Sequence, residues 1–121
     1  MRKEIHMDFG MPTLIENKDL EENISLCKEL GLQFIELNMN FPMYQIPQLE
    51  ETAYLKKLAR ENGIYFTIHL DENLNVCDFN PLVAEAYMET TERAIRVAEE
   101  IGAPLLNMHM NHCLLYTSPS P

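Results

Sequence analysis

Ile64–Asn75 reads Ile-Tyr-Phe-Thr-Ile-His-Leu-Asp-Glu-Asn-Leu-Asn, a short strand running straight into a polar loop. Side chains alternate across a strand. Tyr65, Thr67, His69 and Asp71 therefore share one face, and Phe66, Ile68 and Leu70 the other. The polar face ends in a histidine and an aspartate at the strand's C-terminal end. In parallel α/β folds that end is where ligands bind and chemistry happens.

Working outward, the same unit recurs. A first strand is expected over Glu4–Phe9, with Gly10, Pro12 and Thr13 opening a loop. A helix follows over roughly Asp19–Leu30, with Leu20, Ile24 and Cys27 on one stripe and Gly31 just past its end. The second strand is Gln33–Met39, and the next helix lies near Leu49–Asn62, closed by Gly63. After the Ile64 strand, Asn80-Pro81 pairs a good N-cap with a good first helical residue, and Gly102 stops that helix. The fourth strand is Pro104–Asn111. Glu29-Leu30-Gly31, Glu61-Asn62-Gly63 and Glu100-Ile101-Gly102 each end a helix and feed an apolar strand. This is an internal β-plus-α repeat, which implies a parallel sheet with right-handed crossovers.

The strands choose between two parallel architectures. Central strands of a doubly wound sheet are covered on both faces and read as continuous apolar runs. These four each keep one polar-bearing face: His6 and Asp8, Glu36 and Asn38, Thr67 and His69, Asn107 and His109. A (β/α)₈ barrel accounts for that, with the apolar face under helices and the other lining the interior. Such a barrel needs about 250 residues. The 121 residues here supply four strands and three helices, the parallel (β/α) half of a TIM barrel. The ending Cys113–Pro121 breaks the repeat abruptly. The transposon-end adapter used in DNA library preparation, read TGT CTC TTA TAC ACA TCT CCG AGC CCA, translates to that nonapeptide. Residues 1–112 are therefore read as the half barrel, and 113–121 as a non-native tail.

Composition narrows function. Hydrophobic residues make up 46% of the chain, which excludes global disorder. A net charge of −10 argues against a broad grip on nucleic acid or an anionic membrane. Cys27, Cys77 and Cys113 form no Cys-x-x-Cys pair, and no secretory or spanning segment is apparent, so a cytoplasmic setting is expected. His69 and His109 end neighbouring strands at one mouth, and neutral imidazole suits zinc, manganese or iron. Two histidines do not close a metal site, so metal ligation and hydrogen-bonded pocket roles both stay open. Glu36 points inward, where a carboxylate needs a partner or a task. Either it orients or binds a ligand, or it pairs with His6 across the first strand. His6, Glu36 and Asn107 are the candidate substrate-contacting residues. Met7, Met39, Met108 and Met110 read as core packing under helices.

With the strands placed, the chain resembles the xylose isomerase-like barrel superfamily. The matching residues are Glu29-Leu30-Gly31-Leu32-Gln33-Phe34-Ile35-Glu36-Leu37, Thr67-Ile68-His69-Leu70 and Asn107-Met108-His109-Met110. The superfamily includes sugar-phosphate isomerases and epimerases, and abasic-site endonucleases of the endonuclease IV type. The resemblance implies a metal-dependent sugar or sugar-phosphate isomerase or epimerase with Mn²⁺, Zn²⁺ or Co²⁺, a small sugar as substrate, and acid–base residues on later strands. In the endonuclease branch the histidines ending strands three and four, here His69 and His109, bind the metal. In the isomerase branch they line the substrate pocket. An abasic-site phosphodiesterase and a non-catalytic half barrel that self-associates are the competing readings. In either enzyme reading, this chain alone is expected to be inactive.

Overall fold

The computed structural model describes residues 6–109. Nine elements follow one another: β1 (Gly10–Pro12), α1 (Leu20–Glu29), β2 (Phe34–Asn38), a 3₁₀ turn (Pro42–Tyr44), α2 (Ile46–Leu49), α3 (Thr52–Asn62), β3 (Tyr65–His69), α4 (Pro81–Ile101) and β4 (Leu106–Asn107). The strands form one sheet in the order β1-β2-β3-β4, every pair parallel. This is α/β architecture, consistent with part of a TIM barrel.

Local chemistry explains the repeat. Asp19 caps α1 by accepting the Glu22 N–H at 2.8 Å, and Asn80 caps α4 by accepting the Leu82 N–H at 3.1 Å. α1, α3 and α4 all end the same way. Gly31, Gly63 and Gly102 sit at φ +70°, +65° and +70°, where a side chain would be strained. The next residue then closes the turn: Leu32, Ile64 and Ala103 donate to the carbonyls of Cys27, Ala59 and Ala98 at 2.9, 3.1 and 2.8 Å. That turn aims the chain directly into the next strand or its approach.

The core lies between the sheet's apolar face and the helices. Ile35, Leu37, Met39, Ile68 and Leu70 are fully buried there, with Ile24 and Cys27 from α1, Leu55 and Leu58 from α3, and Ala94 and Val97 from α4. Burial pushes the Cys27 thiol pKa up, and its sulfur lies 3.6 and 3.7 Å from the carbonyls of Leu32 and Phe34. It packs as a small hydrophobe.

Three expectations need correction. β1 is Gly10–Pro12, not Glu4–Phe9. Gly10-Met11-Pro12, which reads as turn punctuation, is the strand, and it pairs with Phe34–Glu36. Within the described sheet β1 is a terminal strand, the place where proline's missing N–H is tolerated. His6 and Asp8 thus precede the sheet, and Met7 and Phe9 are exposed rather than packed under helices. Glu4 and Ile5, and Met110 with the rest of 110–121, lie outside the described residues.

The expected helix near Leu49–Asn62 is α3, Thr52–Asn62, and the stretch before it, expected as a loop with Pro42 and Pro47, holds the short helix α2, so the described chain has four α-helices and not three. Glu51 breaks α2 from α3 with φ −75° and ψ +58°. Tyr44, Ile46 and Leu49, just before the break, are buried in the core. α4 braces the corner, with Arg93 pairing with Glu50 and the Thr52 hydroxyl donating to Glu100 at 2.8 Å. Lastly, β4 is only Leu106–Asn107. It begins two residues later than expected, and its inner neighbour Leu105 is exposed.

Candidate functional site

Parallel strands put all their C-terminal ends on one edge, and register decides which side chains meet there. Asn38 pairs with His69, and His69 with Asn107, so three strands deliver polar groups at one level. Glu36 and Thr67 pair one step below. The ladder continues past the strands: Met39 N–H donates to the His69 carbonyl, and Leu70 N–H to the Asn107 carbonyl, both at 2.9 Å. The edge is therefore held by backbone bonds beyond the last strand residue.

His69 and His109 meet at this edge. Their Nε2 atoms lie 3.2 Å apart, with ring centroids 5.0 Å apart and planes tilted by 53°. The Nδ1 of His69 is 2.9 Å from the Leu70 carbonyl oxygen. A carbonyl only accepts, so Nδ1 carries the proton and neutral His69 keeps a bare Nε2. This is the usual way a backbone oxygen orients a metal-ligating imidazole. Two ligands about 2.0–2.1 Å from one ion are roughly 3.0–3.4 Å apart at ordinary coordination angles. The pair's separation and tautomer fit a shared divalent metal, and fit equally a hydrogen bond between the rings. Among the described residues, no third His, Cys, Asp or Glu joins them in a metal-sized group.

Glu36 is half-buried and accepts a hydrogen bond from the Asn107 side-chain amide at 2.8 Å. The bond crosses over β3 to join β2 to β4. Thr67, the register partner of Glu36, is 3% exposed, and its hydroxyl finds no partner among the described residues. A buried unpaired hydroxyl costs stability that a methyl group does not. Thr67→Val is expected to leave stability unchanged or raise it by up to about 1 kcal/mol. A urea midpoint lowered by the change would mean that the hydroxyl has a partner in the folded protein.

His6 does not join the site. It is exposed and sits 2.8 Å from Asp8, whose other oxygen accepts the Tyr65 hydroxyl at 2.9 Å. Burial first, and then the Asp8 carboxylate, raise the Tyr65 pKa. Tyr65 stacks on Phe34 with centroids 5.2 Å apart, at the opposite end of the strands from the histidines. The pairing of His6 with Glu36 is replaced by Asn107 with Glu36, because the shifted β1 leaves His6 short of the sheet.

One network was not foreseen. Asn38 Oδ1 accepts from the backbone N–H and side-chain amide of Asn40, at 3.0 and 2.9 Å, and Asn40 Oδ1 accepts from the Glu72 N–H at 2.8 Å. It ties the loop after β2 to the loop after β3 at the mouth. The signal in the sequence was the Asn-Met-Asn spacing at the strand end, residues 38–40. Thr13, buried just beyond β1, adds a hydroxyl that accepts the Asn38 N–H at 3.2 Å.

The family model described as xylose isomerase-like TIM barrel matches residues 24–117, a span that runs into the stretch read above as a tail. The fold is similar to the crystal structure of a D-tagatose 3-epimerase-like protein, with a TM-score of 0.69, 21% identity, and 86% of this chain covered against 38% of that one. It is also similar to apo 3-keto-D-glucoside 4-epimerase, YcjR, from E. coli, with a TM-score of 0.67, 17% identity, and 96% of this chain covered against 45% of that one. The chain thus spans less than half the length of either structure. No curated protein sequence matches it. A family match over most of the chain, on a parallel sheet whose polar groups gather at one edge, places it in the xylose isomerase-like TIM barrel family.

Proposed function

We propose that this chain is part of a metal-dependent enzyme that isomerises or epimerises a sugar. The observation that carries the reading is the His69–His109 pair at the C-terminal edge, with the His69 tautomer set by the Leu70 carbonyl. The two epimerase-type structural neighbours support the substrate class. Where resemblance to the isomerase branch implies only that these histidines line the pocket, this reading has His69 and His109 themselves hold a divalent cation such as Mn²⁺, Zn²⁺ or Co²⁺, because their separation and the His69 tautomer fit one. Bound there, a metal supplies Lewis-acid polarisation of the substrate oxygens next to the carbonyl. Glu36 and Asn107, one step below and beside the histidines, would contact sugar hydroxyls. The groups that move the proton are expected on strands beyond these four. No helix among the described residues is long and apolar enough to cross a membrane.

The test is Co²⁺ titration of the chain, read by visible absorption and by bound-metal content after desalting. The expected result is saturable uptake, with His69→Ala and His109→Ala each weakening it at least about tenfold, or about 1.4 kcal/mol. Undiminished uptake in both variants would remove the metal from this pair.

The His pair also favours a second reading. A metal held by histidines ending strands three and four is what resemblance to the abasic-site endonucleases implies. Cleavage of abasic duplex DNA by the full-length enzyme, abolished by chelation, would select it over sugar turnover. The net charge of −10 weighs against a DNA groove on this part.

A further inference from the structure

Glu36 and Asn107 make one side-chain hydrogen bond, and its chemistry fixes more than a contact. A carboxylate can only accept, so the Asn107 amide must turn its NH₂ toward Glu36, as the 2.8 Å Nδ2–Oε2 distance shows. The carbonyl end of Asn107 is then turned away from Glu36. Amide ends are otherwise interchangeable in shape, and only the partner decides which one a ligand meets. The second carboxylate oxygen of Glu36 makes no hydrogen bond or ion pair among the described residues. Each residue is thus left with one acceptor that its neighbour does not use. Both residues are half-buried, so their chains are held while still reached by solvent. Asn107 is also the register partner of His69, which puts the amide beside the histidine pair.

We infer that Glu36 is a positioning residue that locks Asn107 as an acceptor, so that Glu36 and Asn107 each receive an O–H donor of one polyhydroxy ligand. The inference rests on the sugar substrate proposed above and says which part of it this wall reads. A polyhydroxy ligand supplies such donors on several of its carbons. A carbonyl oxygen, an ether or a deoxy position supplies none and would face an unpaired acceptor, the kind of mismatch that sites built around hydroxyl groups reject most strongly. The reacting carbonyl therefore lies toward the histidines and not against Glu36 and Asn107.

The test uses ¹⁵N-labelled chain and follows the side-chain NH₂ pair of Asn107 by NMR. Without ligand, the two Asn107 amide protons are expected to exchange with solvent at different rates, the one bonded to Glu36 more slowly, and Glu36→Ala is expected to abolish that difference. D-Fructose is expected to shift the Asn107 signals saturably, and tetrahydropyran, which matches the ring and lacks hydroxyls, is not. Glu36→Gln should weaken the D-fructose response at least tenfold, because a glutamine can present its own NH₂ and release the Asn107 amide to flip. The inference is overturned by Asn107 amide protons that exchange alike, by no response to D-fructose, by an equal response to tetrahydropyran, or by an undiminished response in Glu36→Gln. Cobalt uptake by the histidines is scored separately. Uptake without the Asn107 response sinks this inference alone, and the response without uptake sinks the metal reading alone.

Discussion

Asn23→Leu is expected to destabilise the chain by roughly 3–5 kcal/mol, the range of a broken buried hydrogen-bond network. Asn23 lies on α1 and is fully buried, which is unusual for an amide. All its capacity is used. Its oxygen accepts from the Leu14 N–H at 3.0 Å and the Asn17 side-chain amide at 2.8 Å. Its nitrogen lies 3.1 Å from both the Asp19 carbonyl and the Tyr44 hydroxyl. One side chain therefore joins the loop after β1, the start of α1 and the 3₁₀ turn after β2. Leucine fits the volume approximately but strands the Leu14 N–H and the Tyr44 hydroxyl. Each orphaned group costs about 1–3 kcal/mol, more than the apolar gain returns. Tyr44→Phe removes one arm only and is expected to cost about 1–2 kcal/mol. Urea denaturation followed by circular dichroism reads both changes. An Asn23→Leu midpoint within error of the parent would show that the network contributes nothing.

Gly10→Val is expected to cost about 2–3 kcal/mol, the scale of an overpacked contact. The reason is space and not backbone freedom, because Gly10 is not among the glycines at positive φ. A Cβ at Gly10 would sit 2.3 Å from Cε2 of Phe34, far inside van der Waals contact. Phe34 is not free to swing aside, since it stacks on Tyr65, which is tied in turn to Asp8. Removing a strand glycine ordinarily gains about 0.5–1 kcal/mol of chain entropy, so the clash decides the sign. In a Phe34→Ala background the penalty should fall by at least 1 kcal/mol, because residues in direct contact do not act additively. Equal penalties with and without the Phe34 ring would place the cause elsewhere.

These two sites mark the division between what was legible and what was not. Helix ends were legible, because caps and glycine stops act within four or five residues of sequence: Asn80 and the glycines at 31, 63 and 102 sit where they were read, and Asp19, read as the start of its helix, is the cap one residue before it. Strand type and order were legible too. A helix between every two strands leaves few ways to build a parallel sheet, and one-sided polarity pointed to a barrel wall.

β1 was not legible. Its glycine and proline carry the same local signal as a turn, and only the ring of Phe34 and the pairing with Phe34–Glu36 make them a strand. The break at Glu51 was hidden for a related reason. Apolar spacing is continuous through 46–58, and only the depth to which Tyr44, Ile46 and Leu49 are buried shows that the chain turns. By itself, the sequence determined the repeat, the helix stops, the parallel order and the presence of His69, Glu36 and Asn107 on one strand face; His109 lies just past the fourth strand. Tertiary structure alone decided that Glu36 meets Asn107 instead of His6, and that two imidazoles 40 residues apart approach to 3.2 Å. Periodicity assigns a side chain to a face. Which residues on that face touch depends on strand register and on the first residue of an edge strand, and those are set by pairing between distant segments.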